Sequence, residues 1–373
     1  MTVKEGQVQA AVVREPGGPL QIETLELRAI EPHEVEVRLV ATGVCHTDMY
    51  VRDQNYHLEL PAVLGHEGSG VVERVGSSVT TVTPGDHVVL TFLACGTCKF
   101  CLSGRGAYCE QSFGLNFDPT RSAEHPQTTD ASGEPVHVSF FGQSSFSTRT
   151  VADARNVVKV PNDVPLEILA PFGCGVQTGA GAILNTFDVP VGSSIAIFGA
   201  GAVGLSAVMA SVVAGATTIV AIDVVGDRLD LATELGATAV VNPSEGGSLD
   251  ALRAIAPEGF DYTLDTTGRV EVLEQAIEVL AIRGSCGVIG APPVGTRASF
   301  DVVALFATGR TIRGIVAGDS VPSSFIPTLV ELHRQGRFPV EKLLQFYELD
   351  QVNEAMADSE KGLVVKPVLR MPV

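Results

Sequence analysis

The sequence predicts an α/β protein of two domains, one β-rich and barrel-like, the other a doubly wound parallel sheet. Three observations predict it. At 373 residues the chain is longer than one average domain. Residues 1–150 carry short runs of β-forming residues cut by glycine and proline. From Ser194 the pattern becomes strand, glycine turn, helix, strand, helix.

In the first domain the runs Gln9–Arg14, Glu34–Ala41, Gly70–Val75 and His87–Leu90 read as strands. Val35, Val37 and Leu39 alternate with polar neighbours, as a half-buried strand requires. Pro16, Gly17 and Gly18, and later Pro84 and Gly85, mark turns. In the second domain Ile195–Phe198 is an apolar strand, Ala202–Ala214 a small-residue helix and Ile219–Ile222 the next strand. Arg228–Leu235 reads as a helix, and Tyr262–Leu264, Gly287–Gly290 and Thr311–Val316 as further strands. The tail carries helical segments at Ile326–Gln335 and Gln351–Ser359 and a strand-like Leu363–Leu369. It is expected to pack back on the first domain. The expected boundaries are therefore 1–175 with 320–373 for the first domain and 176–319 for the second.

Composition narrows the function classes. Apolar residues make up 45% and charged residues 18%, a globular balance. No uninterrupted apolar run reaches the ~18 residues of a membrane span. The N-terminus lacks an apolar signal core, so cytoplasm is the expected location. The formal charge of −18 repels phosphate backbones and anionic lipid, which argues against nucleic-acid or membrane partners. Seven cysteines in such a chain do not suggest disulfides. Four crowd into 95–109, two stand alone at Cys45 and Cys174, and Cys286 lies in an apolar run and reads as packing.

The four-cysteine loop is the most specific signal. Cys95, Cys98, Cys101 and Cys109 can close a tetrahedral thiolate shell around zinc, leaving no open position. An iron–sulfur cluster is the competing metal, but its usual spacings differ. The glycines of Gly199-x-Gly201-x-x-Gly204 follow an apolar strand and open a helix, and Asp223 ends the next strand 19 residues after Gly204. That context suits a dinucleotide. Gly199 permits the tight turn, Gly201 lets backbone N–H groups approach a pyrophosphate, and Gly204 lets helix and strand pack closely. Asp223 can accept both ribose hydroxyls and repel a 2′-phosphate, which favours NAD over NADP. Cys45, His66 and Cys174 are individually weak signals, but each sits in a glycine-rich context. Two thiolates and one imidazole would leave zinc a fourth, open position, as catalytic sites need.

Over essentially its whole length the chain resembles the zinc-containing medium-chain alcohol dehydrogenase family. The matching stretches are GVCHTD at 43–48, GHEGSGVVERVG at 65–76, the cysteine loop at 95–109, GCGVQTG at 173–179 and FGAGAVGLSA at 198–207. AAVVREPGGPL at 10–20, ATGVCHTDM at 41–49, NFDPTR at 116–121 and FFGQSSFSTRTV at 140–151 are similar to its aryl (benzyl) alcohol dehydrogenase branch. The resemblance implies a GroES-like catalytic domain and a Rossmann cofactor domain. It implies two zinc ions per subunit, one catalytic and one structural, NAD as cofactor and a homo-oligomer, dimer or tetramer. The reaction implied is reversible oxidation of a primary alcohol to an aldehyde, the nicotinamide lying between the domains.

Position by position, the resemblance makes Cys45, His66 and Cys174 the catalytic zinc ligands and the four clustered cysteines the structural ones. Glu67 matches a glutamate that can approach the metal, and Asp48 a carboxylate that orients the liganding histidine. Thr47 stands where a hydroxyl takes the substrate proton. His46 and Lys366 align with basic residues near the cofactor phosphates. Asp223 and Arg228 match ribose contacts, Gly268 and Arg269 lie on the following cofactor loop, and Gly290 falls beside the nicotinamide. Phe92 and Phe141 fall near the substrate pocket, and Tyr50 is placed there with them. Tyr50 also departs from the family, where many members carry a proton-relay histidine at that position. Tyrosine, with an ordinary pKa of ~10, is a poor base at neutral pH. A relay through Thr47, the ribose and water is expected instead, or help from His46.

Other readings share these motifs. A thiol-adduct formaldehyde dehydrogenase or a medium-chain or terpene alcohol dehydrogenase of the same family would carry every one of them. A non-catalytic NAD-binding redox sensor would be expected to have lost Cys45, His66 or Cys174, and all three are present.

Overall fold

The computed structural model describes residues 6–117 and 127–372; the end of the NFDPTR stretch lies outside them. The chain divides into two compact units. Unit 1 comprises Met1–Cys174, Val321–Arg334 and Val340–Val373, and unit 2 comprises Gly175–Ser320 with the short segment Gln335–Pro339.

Unit 1 opens with β1 (Gln7–Val13), β2 (Gln21–Glu26) and β3 (Glu34–Gly43), followed by α1 (His46–Arg52). Then come β4 (Ala62–Val63), β5 (Gly68–Val75), β6 (His87–Leu90), β7 (Arg149–Asp153) and β8 (Val157–Lys159). Strands β2, β1 and β4 form a small antiparallel sheet. Strand β3 anchors the larger sheet, pairing antiparallel with β5 and β7. Its alternation has the expected outcome: Val35, Val37 and Leu39 are buried and Arg38 is exposed. Two buried carboxylates on β3 are held by arginines, as burial of charge demands. Glu34 takes both terminal nitrogens of Arg28 at 2.6 Å, and Glu36 pairs with Arg74. Phe140, Phe146, Leu58, Leu64 and Leu90 fill the core.

Unit 2 is a six-stranded parallel sheet of β9 (Ser194–Phe198), β10 (Thr218–Ile222), β11 (Ala239–Val241), β12 (Phe260–Asp265), β13 (Leu280–Val288) and β14 (Thr311–Gly314). The spatial order is β11-β10-β9-β12-β13-β14. The chain therefore starts at the centre, winds out to one edge, and crosses back to the other, the order of a Rossmann sheet. Phe198, Val220, Ile222, Leu252 and Phe260 make its core. Strand β13 starts at Leu280, earlier than the expected Gly287. Its pairing with β12 slips there, Arg283 takes φ +63° and Ile282 is exposed, so no period of two is present to read.

The chain closes in unit 1 with β15 (Leu344–Glu348) and β16 (Lys366–Arg370). Strand β16 pairs antiparallel with β3, Val368 opposite Gly43. This sets Lys366 beside the loop after β3, where the candidate site begins. Among the described residues no helix is long and apolar enough to cross a membrane.

Candidate active site

Cys45 caps the N-terminus of α1. Its backbone N–H donates to Oδ2 of Asp48 at 2.8 Å, which closes the first turn. The other oxygen of Asp48 accepts from Nδ1 of His66 at 2.9 Å and from the backbone N–H of Gly65 at 3.1 Å. One fully buried carboxylate thus ties the helix start to the loop before β5. It also fixes a proton on Nδ1, which leaves Nε2 as the ring atom that could bind a metal. Nε2 is buried and has no hydrogen-bond partner. A buried acceptor left orphaned costs stability unless a ligand completes it.

One ligand atom each from Cys45, His66, Glu67 and Cys174 lies within 4.8 Å of the others. None of the seven cysteines forms a disulfide. A hydrogen bond from Cys174, together with His66, holds the Cys45 thiol well below its ordinary pKa, while the same contact and burial push Cys174 up. Burial opposes charge on His66, but the Asp48 carboxylate and Cys45 outweigh it and raise its pKa. A thiolate, a second sulfur and an imidazole Nε2 with no hydrogen-bond partner make a donor set that fits zinc, which would displace the proton that Asp48 and Cys45 favour on the ring. Gly173, which precedes Cys174, has no room for a side chain: a Cβ would stand 2.1 Å from the Leu90 carbonyl.

Lys366 sits at this cluster. Its ammonium donates to both oxygens of Glu67, at 2.9 and 3.0 Å, and to the Val44 carbonyl at 3.0 Å. Both side chains are buried. Lys366, expected near the cofactor phosphates, here directs its three donors to Glu67 and Val44. Gly43 makes the arrangement possible, since a Cβ there would strike Oε2 of Glu67 at 1.9 Å. Burial raises the pKa of Glu67 despite the lysine.

Thr47 places Oγ1 3.8 Å from Sγ of Cys45. His46 is exposed one helical turn before Tyr50, with ring centroids 5.1 Å apart. Phe141 stacks on His66 at 4.6 Å, its backbone at φ +50°. Phe117 meets Phe141 edge-on at 5.1 Å, and Tyr56 lies between Phe117 and Tyr50, 5.9 Å from each. An aromatic wall therefore runs from Tyr50 to the imidazole of His66. Phe92 has no ring contact among the described residues, so the structure does not bring it into this wall. Tyr56 and Phe117 also belong to it; Phe117 falls within the NFDPTR stretch, but the sequence assigns neither residue to the pocket.

The four-cysteine loop forms a second cluster, all four sulfur atoms within 4.8 Å of one another. Sγ of Cys95 accepts from the N–H groups of Thr97 and Cys98 at 3.4 and 3.3 Å, and from Oγ1 of Thr97 at 3.5 Å. These donors pull its pKa down to about 6, led by the Thr97 hydroxyl. Burial pushes Cys101 up to about 12. Sγ of Cys109 accepts from Cys95 and Gln111 N–H groups at 3.3 and 3.4 Å. Backbone donors converging on sulfur stabilise thiolates, and a cation in their midst would do so for all four.

In unit 2, Gly199 takes φ +95° after β9. A Cβ on Gly204 would stand 1.8 Å from the Gly199 carbonyl, so helix and strand pack as closely as the motif requires. Gly201 differs. A Cβ there would meet nothing within 4 Å, although Gly201 caps the helix Ala202–Ala214. No protein neighbour demands this glycine; the space suits a phosphate at a helix N-terminus. Asp223 accepts from Ala200 N–H at 2.7 Å and Val225 N–H at 2.9 Å, one on each oxygen, and keeps lone pairs for further donors. Arg228 stands on the helix Gly226–Glu234 that follows Asp223. A Cβ on Gly290 would stand 2.0 Å from the backbone nitrogen of Gly268, so these two loops touch through glycine. Arg269 is exposed and donates to Glu271 at 2.7 Å.

Residues 31–162 match the alcohol dehydrogenase GroES-like domain and residues 202–334 the zinc-binding dehydrogenase domain. A geraniol dehydrogenase of Castellaniella defragrans is 44% identical over 97% of both chains. An S-(hydroxymethyl)glutathione dehydrogenase of Komagataella pastoris is 38% identical, covering 98% of this chain and 99% of that one. The crystal structure of benzyl alcohol dehydrogenase from Acinetobacter calcoaceticus superposes with a TM-score of 0.93 at 45% identity, covering 98% of this chain and 99% of that one. An alcohol dehydrogenase zinc-binding domain protein from Burkholderia ambifaria gives a TM-score of 0.97 at 56% identity, with the same coverage.

Proposed function

Because the chain belongs to the zinc-dependent medium-chain alcohol dehydrogenase family, we propose that it oxidises a primary aryl or allylic alcohol to the aldehyde, reversibly, with NAD as oxidant. The observation that carries this reading is the orphaned Nε2 of His66, grouped with Cys45 and Cys174 and stacked under Phe141. Cys45, His66 and Cys174 would hold a catalytic zinc, and Cys95, Cys98, Cys101 and Cys109 a structural one. Lys366 engages both oxygens of Glu67, which would make that carboxylate a poorer competitor for a position that three protein ligands leave to substrate. When bound, zinc acidifies the alcohol hydroxyl and NAD takes up the hydride.

The chain's own residues supply position and proton transfer. Asp48 locks the orientation of His66. The Thr47 hydroxyl would accept the substrate proton and pass it toward solvent, where His46 is exposed. Tyr50, Tyr56, Phe117 and Phe141 form the wall against which a planar substrate lies, favouring edge-to-face or offset contacts. Gly201 and the N–H groups that follow it receive the pyrophosphate, while Asp223 and Arg228 receive the ribose. Gly268, Arg269 and Gly290 shape the remainder of the cofactor loops.

Initial rates on a panel of benzylic, allylic, linear and secondary alcohols test the substrate class. Benzyl or cinnamyl alcohol is expected to exceed ethanol in kcat/KM by well over ~10-fold, since each additional buried methylene equivalent contributes ~0.8 kcal/mol. Phe141→Ala should erode that advantage mainly through KM, as loss of uniform binding does. Equal values for ethanol and benzyl alcohol would remove the aryl and allylic assignment. The similarity to geraniol dehydrogenase makes geraniol the allylic member of the panel.

Cofactor choice is tested separately. The Asp223 carboxylate is expected to favour NAD over NADP strongly, and Asp223→Ser to narrow the preference by removing both acceptor and repulsion. A wild-type preference for NADP would overturn the NAD assignment.

A further inference from the structure

We propose that Gln143 and Thr91 are positioning residues for the catalytic metal, joining the His66 loop to the Cys174 loop through one buried carboxamide. The inference rests on the metal assignment made above. Gln143 is fully buried. Its Nε2 donates to the His66 carbonyl at 2.9 Å and to the Thr91 carbonyl at 3.1 Å, and its Oε1 accepts from Gly68 N–H at 3.1 Å. The amide has one possible orientation, because two carbonyls only accept and one N–H only donates. It thereby spans the backbone on both sides of Glu67 and ties it to the end of β6.

Thr91, also buried, continues the link. Its Oγ1 donates to the Gly173 carbonyl at 2.7 Å, immediately before Cys174. The path from one ligand to the other is therefore His66 carbonyl, Gln143, Thr91, Gly173, Cys174, with no charged group and no side chain that itself offers a metal donor. Asn156 braces the same node. Its Nδ2 lies 3.2 Å from both the Thr91 and the Phe141 carbonyls, so the ring stacked on His66 is held by this network too. Asp48 fixes the orientation of the imidazole ring. Gln143 and Thr91 fix the distance between the loops that carry an imidazole and a thiolate. A site whose ligands come from loops far apart in sequence depends on such a cross-tie, because neither loop alone defines the separation.

The test is the rate at which a chromophoric chelator, 4-(2-pyridylazo)resorcinol, removes zinc from the purified full chain below its unfolding transition. Wild type should release zinc in two phases, and His66→Ala should lack one of them, which identifies the catalytic phase. Gln143→Met keeps the side-chain length and removes all three bonds. Thr91→Val keeps the shape and removes the bond to Gly173. Both are expected to speed the catalytic phase about 10-fold or more and to leave the cysteine-loop phase unchanged, in line with the effect of removing partners behind metal ligands. Leu58→Ala, a core change off the network, controls for general loosening and should leave the ratio of the phases unchanged. If Gln143→Met does not fold, Thr91→Val decides. Two wild-type phases with both variants releasing at wild-type rates would overturn the positioning role. A wild type with one phase that His66→Ala leaves intact would instead overturn the catalytic-metal assignment itself.

Discussion

Replacing His66 with alanine is expected to leave a folded chain holding about one zinc ion instead of about two, with kcat/KM lowered about a thousandfold or more. The stability side follows from the geometry. Nε2 of His66 has no hydrogen-bond partner in the protein, so removing the ring takes away a ligand without leaving a protein group that was bonded to Nε2 unpaired. What remains exposed to the loss is Asp48, one of whose oxygens would retain only the Gly65 N–H. The chemical side follows from the metal. A Lewis acid contributes several kcal/mol to charge stabilisation in the transition state, and each 1.36 kcal/mol is about tenfold in rate. Cys45→Ala should behave alike. Cys101→Ser should differ in kind, because its cluster offers no open position: the expected result is loss of soluble, stable protein. Elemental analysis with a thermal melt separates the two outcomes. A His66→Ala enzyme with full activity would remove the catalytic assignment.

The residues that predicted this site were legible because their chemistry is local or rigid in spacing. Four cysteines within 95–109 and three glycines at 199, 201 and 204 each belong to one turn of chain. The parallel sheet was legible because β9 and β10 are continuous apolar strands flanking one helix. Other features arise only from long-range packing. The partner of Lys366 is Glu67, nearly the whole chain away, and the pairing exists because β16 lies on β3. The family resemblance gave Lys366 a place among cofactor phosphates, and nothing in its neighbourhood in the sequence pointed to a buried carboxylate. Gln143 carries no signal either, since a glutamine in a serine-rich loop reads as surface and becomes structural only when three backbone groups converge on it. Phe117, although within the NFDPTR stretch, and Tyr56 carried no pocket assignment. They join the wall because the helix Ser112–Phe117 is pinned by Asn116, whose amide bonds both backbone groups of Leu93 at 2.9 Å.

Lys366→Met is expected to destabilise the chain by about 3–5 kcal/mol, because breaking a buried ion pair leaves an uncompensated charge. The magnitude applies here since Glu67 is fully buried and Lys366 nearly so, with both carboxylate oxygens engaged. Activity should fall as well, for a separate reason. A carboxylate oxygen of Glu67 already lies within 4.8 Å of the ligand atoms of Cys45, His66 and Cys174, and without its ammonium partner the carboxylate can take the position meant for substrate. Zinc content should then hold near the wild-type value while kcat falls, unlike His66→Ala, which loses a zinc ion along with activity. The double variant Lys366→Met/Glu67→Gln separates the two effects. It replaces the ion pair by a thioether and a neutral amide, so it should recover most of the lost stability and, because an amide is a weaker zinc ligand than a carboxylate, much of the lost turnover. Urea denaturation read beside zinc content and kcat measures all three quantities on the same preparations. A Lys366→Met protein as stable and active as wild type would show that the pair neither carries fold stability nor restrains Glu67.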